Sequence, residues 1–266
     1  VRVAGENSVT ASPGLQDCHA VITGGGSGIG AAIADALAAL GCRLTLLGRS
    51  QSRLTAKATS LPLARGLSAD VTNQAEIAAA FADATSHFGP VSILVNNAGL
   101  APAQPFLQIG PASWRTTLDV TLTGAFFCTQ VALPGMLEAG WGRIVMIAST
   151  AGLMGYKGVA AYVAAKHGMI GLTRALALEF AQSGVTINAV CPGFTETDIA
   201  RTAIDNIRAR SGRSESEARA VLSAKNPQGR LVRPEEVANA VLWLCGEGSS
   251  AITGQSIAVC GGEVMT

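Results

Sequence analysis

Tyr162 and Lys166 stand four residues apart in "YVAAK", inside an Ala-rich run of helical period, so their side chains share one helix face. A free phenol has a pKa of about 10, too high for a base near neutrality. An ammonium group one turn away favours the phenolate, and each unit of downward shift corresponds to about 1.4 kcal/mol. Ser149 ends the apolar run "RIVMIAS", which reads as a strand. A hydroxyl there can hydrogen-bond a substrate oxygen and stabilise charge developing on it. These are the parts of a proton-transfer site. Singly, each has an ordinary explanation: packing for a tyrosine at a helix start, solvation for a lysine, capping for a serine. Their meaning depends on whether the chain brings them together.

The elements that must do so alternate along the sequence. Strands are expected at 19–23, 43–47, 63–67, 91–96, 143–148, 185–190 and 255–259, and helices at 28–40, 50–60, 74–87, 112–139, 161–182 and 234–246. This rhythm implies right-handed βαβ units and an α/β, doubly wound, Rossmann-like parallel sheet of about seven strands with helices on both faces. Runs such as "RIVMIA" are apolar on both sides of a strand, as a doubly covered sheet requires. A polar leader, 1–18, precedes one catalytic domain, 19–266, with no linker or repeat dividing it. Residues 199–230 break the rhythm with seven Lys or Arg against Asp205, Glu215 and Glu217, and read as a lid-like insertion.

The first strand runs into "TGGGSGIG", where Gly24, Gly28 and Gly30 surround Ser27 and Ile29. Glycines let a backbone approach a pyrophosphate seated on the positive end of the following helix. A plain strand-to-helix turn would use glycine too, but the place after the first strand of a βαβ series strengthens the dinucleotide reading. The second strand ends at Gly48 and Arg49 rather than at a carboxylate that would take the adenosine ribose hydroxyls. A guanidinium can clamp a 2′-phosphate, so NADP(H) is favoured, with NAD(H) as the alternative.

With "ADV" at 69–71, "NNAG" at 96–99 and "PGFTET" at 192–197 added in this order, the chain resembles the compact short-chain dehydrogenases/reductases along nearly its whole length after the leader. The resemblance implies that Asp70 and Val71 flank adenine, that Asn96, Ala98 and Gly99 line the cofactor cleft, and that Pro192, Gly193 and Thr195 reach the nicotinamide end. It also implies that Ser149 and Tyr162 act on the substrate oxygen and that Lys166 holds the nicotinamide ribose. One departure stands out: Thr121, in "DVTLTG", occupies the place of an asparagine that the family uses for a helix kink and a proton-relaying water. A threonine hydroxyl can instead bond the preceding helical turn and bend the helix.

Composition narrows the alternatives. A hydrophobic fraction of 48% supports a large core, and a net charge of +1 gives no reason to expect nucleic acid or an acidic membrane surface as partner. The six cysteines are scattered without ligand or dithiol spacing, so no metal is expected. With no signal-like leader and no uninterrupted apolar stretch of membrane-spanning length, a cytoplasmic protein is expected. Small and apolar residues on several faces of 112–139 and 161–182 suggest a homo-oligomer, a tetramer by resemblance. The pocket, drawing on 100–104, Thr150, Leu153, Met154, Tyr156, Phe194 and the 199–230 insertion, suits an apolar carbonyl compound. "CPGFTET" and "VCGGEVM" are similar to fatty-acid and polyketide ketoreductases, so a 3-oxoacyl thioester reductase is the first choice. An NAD-dependent alcohol or 3-hydroxyacyl dehydrogenase is second, and a dinucleotide-binding regulatory protein without turnover is a reading of another class.

Overall fold

The computed structural model describes residues 14–265. Residues 1–13 of the expected leader lie outside these. Seven parallel strands, β1 (His19–Thr23), β2 (Arg43–Gly48), β3 (Ala64–Ser68), β4 (Ile93–Asn96), β5 (Gly142–Ile147), β6 (Val185–Pro192) and β7 (Ser256–Val259), form one sheet in the order β3-β2-β1-β4-β5-β6-β7. The chain winds outward in one direction from β1 and in the other from β4. The carboxyl ends of these two strands therefore open a crevice where loops diverge, the usual ligand position in such sheets.

Period-two alternation explains why both faces are buried. Val21, Leu94, Ile144 and Met146 point into one core layer, and Ile22, Ile93, Val95, Val145 and Ile147 into the other. The first layer is covered by α3 (Gln74–Phe88), α5 (Gly124–Ala139) and α6 (Ala160–Glu179), the second by α1 (Gly28–Ala39), α2 (Gln51–Thr59) and α9 (Pro234–Cys245). Local signals set the ends of these helices. Asn73 accepts from the amides of Ala75 and Glu76 to cap α3, which stops at Gly89 with φ +85°. Pro234 opens α9, where its missing N–H costs nothing.

The run expected as one helix from 112 to 139 is α4 (Pro111–Leu118), a π-helical segment (Asp119–Thr123) and α5 in continuous succession. Taken together, Pro111–Ala139 is long and apolar enough to cross a membrane by length and composition. Polar residues hide this in the linear sequence, and 44% of its most apolar window is buried against the protein. Cys128, Ala132 and Met136 are the residues that seat it on the sheet.

The insertion at 199–230 is two helices, α7 (Asp198–Ser211) and α8 (Glu215–Ser223). Gly212, at φ +69°, ends the first, and a reciprocal capping box between Ser214 and Glu217 starts the second. Ala200, Ile204, Ala218, Leu222 and Leu231 give the pair a small core of its own.

Candidate active site

The glycine turn is built against the loop after β4. Asn97 donates from its side chain to the carbonyls of Thr23 and Gly24 (2.9 and 3.2 Å), and Thr23 Oγ1 accepts from the amides of Asn97 and Ala98 (both 2.9 Å). Gly24 and Gly28 have φ of +65° and +53°, and a Cβ on Gly30 would fall 2.4 Å from the Gly24 carbonyl oxygen. Ser27 makes no side-chain cap to α1, and no acidic residue occupies the first turn. The amides there remain available to an anion, and a side chain at 28 would fill the cradle. These residues fit a dinucleotide pyrophosphate. The start of α7 closes the cradle: Thr197 is the neighbour that a Cβ on Gly28 would meet at 3.1 Å, and Arg53 pairs with Asp198 at 3.3 Å.

Arg49 is exposed at the end of β2 and makes no ion pair among the described residues. The Asp70 carboxylate accepts from the amide and hydroxyl of Thr72 (2.9 and 2.8 Å), bonds that hold it below the ordinary carboxylate range. Val71 is buried where Gly124 leaves room for it. Asn96 corrects the expectation for its side chain. Strand alternation turns it into the core, where Nδ2 donates to Thr129 (2.9 Å) and Oδ1 is buried without a partner among the described residues; Asn97, not singled out from the sequence, reaches the glycine turn. Thr195 is buried and donates to the Gly193 carbonyl at 2.9 Å. Pro192 ends β6 at the same carboxyl edge.

Ser149, Tyr162 and Lys166 do meet. Ser149 caps a short turn, accepting from the Ala151 amide at 3.1 Å, so that one lone pair is occupied and its proton remains free to donate. Burial raises the Tyr162 pKa above the usual phenol value, opposed by a hydrogen bond with Ser149. Lys166 is 3% exposed; its Nζ lies 5.5 Å from the Tyr162 ring centroid and donates to the Ile147 carbonyl at 2.6 Å. Burial brings its pKa down to about 7. The expected lowering of Tyr162 by a charged lysine is therefore reversed here: burial drives both groups towards their neutral forms.

Thr121 is also corrected. Its hydroxyl accepts from the Leu100 amide (3.4 Å) rather than bonding the turn before it, and it lies within the π-helical segment. A Cβ on Gly99 would stand 3.6 Å from Thr121 Oγ1 and 3.7 Å from Lys166 Nζ, so these groups flank one spot. Cys191, pushed up to about 11 by burial, packs beside them as a neutral thiol.

Residues 24–263 match the family model described as "Enoyl-(Acyl carrier protein) reductase". The chain belongs to the short-chain dehydrogenase/reductase family. It is 41% identical over 249 residues to a Streptomyces coelicolor protein named as a ketoacyl reductase, covering 91% of this chain and 95% of the relative. It is 38% identical over 251 residues to the D-beta-hydroxybutyrate dehydrogenase of Cupriavidus necator, covering 92% and 97%. Among solved structures, a single-residue variant of actinorhodin polyketide ketoreductase with NADPH superposes with a TM-score of 0.90 at 40% identity, covering 92% of this chain and 97% of that one.

In this family member the wall beside the three residues comes from the segment between Ser149 and Tyr162. The Tyr156 ring meets Phe194 edge-on at 6.2 Å between centroids, and the Gly158 carbonyl accepts from the Gln104 amide at 2.8 Å, joining this wall to the loop after β4. Sequence reasoning missed Asn97, Thr197, Asp198 and Glu263. Asn97 was legible in "NNAG" and Thr197 in "PGFTET"; Asp198 and Glu263 are brought to their partners from distant parts of the chain by the fold.

Proposed function

We propose that the protein reduces 3-oxoacyl thioesters, carried on coenzyme A or an acyl carrier protein, to 3-hydroxyacyl thioesters with NADP(H). The observation that carries this reading is the convergence of Ser149, Tyr162 and Lys166 at the carboxyl edge of the sheet, beside a glycine cradle that fits a dinucleotide. The relatives support it, since the names of two matched proteins are ketoreductases and one of these was solved with NADPH. The turn at Gly24, Ser27, Gly28, Ile29 and Gly30 would hold the pyrophosphate. Arg49 would hold the 2′-phosphate, with Asp70 and Val71 by the adenine. The backbones of Ala98, Gly99, Pro192 and Gly193, with Thr195, would lie along the nicotinamide half. NADPH, when bound, supplies hydride to the carbonyl carbon.

This chain's own residues handle the oxygen. Ser149 donates to it and stabilises the charge that develops there. Tyr162 delivers its proton. A half-buried phenol held neutral by desolvation is the state that a proton donor needs, which favours the reductive direction. Lys166, with a pKa near 7, can take up and release a proton at neutrality beside Thr121. The chain is one catalytic domain from residue 19 onward, with α7 and α8 as the lid over the cofactor. Association through the outer faces of α4, α5 and α6, which expose Trp114, Phe126 and Leu178, accompanies the reading, with a tetramer as the expected form.

The hydroxybutyrate dehydrogenase relative favours oxidation with NAD as the second reading. Stopped-flow absorbance with NADPH or NADH against acetoacetyl-coenzyme A, and with NADP or NAD against the 3-hydroxy product, separates them. NADPH consumption by the thioester is expected, and Tyr162→Phe should cut it by about 10²-fold or more while cofactor binding persists. Dinucleotide binding without turnover in either direction would establish the regulatory-protein reading instead.

A further inference from the structure

After β7 the chain folds back past the end of β6, placing Glu263 against the wall segment that joins Ser149 to Tyr162. Its Oε1 lies 2.8 Å from the Tyr156 hydroxyl, and the same phenolic oxygen lies 2.8 Å from Thr150 Oγ1. One phenolic hydrogen serves one acceptor, and a carboxylate can only accept. The bonding is therefore a chain, in which the Thr150 hydroxyl donates to Tyr156 and Tyr156 donates to Glu263. The opposite effects of these two bonds on the phenol, lowering from Thr150 and raising from Glu263, agree with that polarity.

The other carboxylate oxygen is what makes the arrangement unusual. Glu263 Oε2 is buried without a hydrogen-bond partner among the described residues, wedged 3.0 Å from the point a Cβ on Gly193 would occupy and near Cys260. The positive charge acting on it comes from Lys225 at the end of α8, whose Nζ also stands 6.0 Å from the Tyr156 ring centroid. An apolar side chain would pack beside Gly193 with no buried acceptor left unpaired. Packing of the C-terminal tail therefore does not account for a carboxylate here, whereas the bond from Tyr156 does.

We infer that Glu263 is a positioning residue for the substrate cleft. It holds Tyr156 by the hydroxyl, presses the ring against Phe194, and through buried Thr150 fixes the segment whose two ends carry Ser149 and Tyr162. The wall it steadies faces the part of the substrate beyond the reacting carbonyl. Its loss is accordingly felt in substrate binding more than in the chemical step. The kinetic half of this inference rests on the reductase reading given above; the structural half does not.

The test compares Glu263→Gln, Glu263→Ala, Tyr156→Phe and the double variant Tyr156→Phe/Glu263→Ala in the full chain. Two readouts are taken: steady-state reduction of acetoacetyl-coenzyme A by NADPH, and amide hydrogen exchange of residues 150–158. The glutamine carbonyl still accepts from Tyr156, so Glu263→Gln should stay within about twofold of the unaltered protein in both. Glu263→Ala and Tyr156→Phe should each raise KM about tenfold, the equivalent of one buried hydrogen bond, with kcat within about threefold. Both should speed exchange of the segment, and the double variant should be no worse than either single one. Unchanged KM and protection in Glu263→Ala overturns the inference. So does Glu263→Gln behaving like Glu263→Ala, or additive losses in the double variant. If the unaltered protein does not reduce the thioester, the reductase reading fails, and the exchange measurement still decides the role of Glu263.

Discussion

Replacing Lys166 by methionine separates what the side chain does in the reaction from what its burial costs the fold. A lysine titrates at 10.5 when solvated, and here burial brings it to about 7 at 3% exposure. Between those values the unfolded chain holds a proton that the folded protein has released, so stability must rise with pH across this window. Worked through the two titrations, keeping the lysine in place costs about 4 kcal/mol at pH 7 and roughly 2 kcal/mol less at pH 8.5. Methionine has nearly the same shape and no charge to desolvate. It forfeits the bond from Nζ to the Ile147 carbonyl, which offsets about 1–3 kcal/mol of the gain. Lys166→Met should therefore be more stable than the unaltered protein at pH 7 by about 1–3 kcal/mol, and the advantage should shrink as pH rises. Urea denaturation of both proteins at pH 7.0, 7.75 and 8.5 measures this. The range stops there because buried thiols such as Cys42 and Cys128, both pushed up to about 12, add an opposite slope once the unfolded cysteines ionise near 9.0. Subtracting one curve from the other isolates the lysine. A difference that is flat over this range would mean that Lys166 stays protonated in the folded state, and the argument for two neutral groups in the site would be refuted.

Arg49→Ala should weaken NADPH binding by about tenfold or more, the value of a charge-assisted phosphate contact, while leaving NADH nearly unaffected. Fluorescence titration with both dinucleotides checks it, and equal losses for the two would remove Arg49 from the 2′-phosphate. Thr121→Ala and Thr121→Asn should shift the pH profile of kcat, because the hydroxyl flanks the same spot as Lys166 Nζ; superimposable profiles for all three proteins would rule out a part in proton transfer. Sedimentation velocity at micromolar concentration should show an assembly rather than a monomer. Trp114→Glu/Phe126→Glu should dissociate it if the outer faces of α4 and α5 are the contact.

Much of this was legible before any coordinates because the signals are local. Runs apolar on both faces mark strands of a covered sheet, "TGGGSGIG" marks a turn that only glycines can make, and a four-residue spacing on a helix puts Tyr162 and Lys166 together. Where the reading fell short, the deciding physics was of two kinds. Some was local but subtle: "DVTLT" keeps helical periodicity and contains neither proline nor glycine, so nothing in it announces a π-helical turn, whereas Gly212 and the Ser214–Glu217 box do mark the break between α7 and α8. The rest was long-range. Glu263 meets Tyr156 across 107 positions and Asp198 meets Arg53 across 145, distances over which spacing carries no information. The error about Tyr162 is of this second kind. Charge proximity was readable from the sequence; the depth of burial that overrides it was not.

That override bears on how the site works. A lysine one turn from a tyrosine suggests a permanently charged tuner acting on a phenolate, an arrangement suited to removing a proton from an alcohol. The structure buries Lys166 and leaves Tyr162 half-buried, with desolvation raising the phenol and bringing the lysine down to about 7. On the proposed reading, a phenol that keeps its proton is ready to give it to a ketone oxygen, and the proton lost can be replaced from a lysine that exchanges protons at pH 7. On that reading, burial leaves Tyr162 and Lys166 in the resting protonation that a reduction needs. The same burial disfavours a charged Lys166 in the fold, and the proposed reading accounts for the residue by what it does in the reaction.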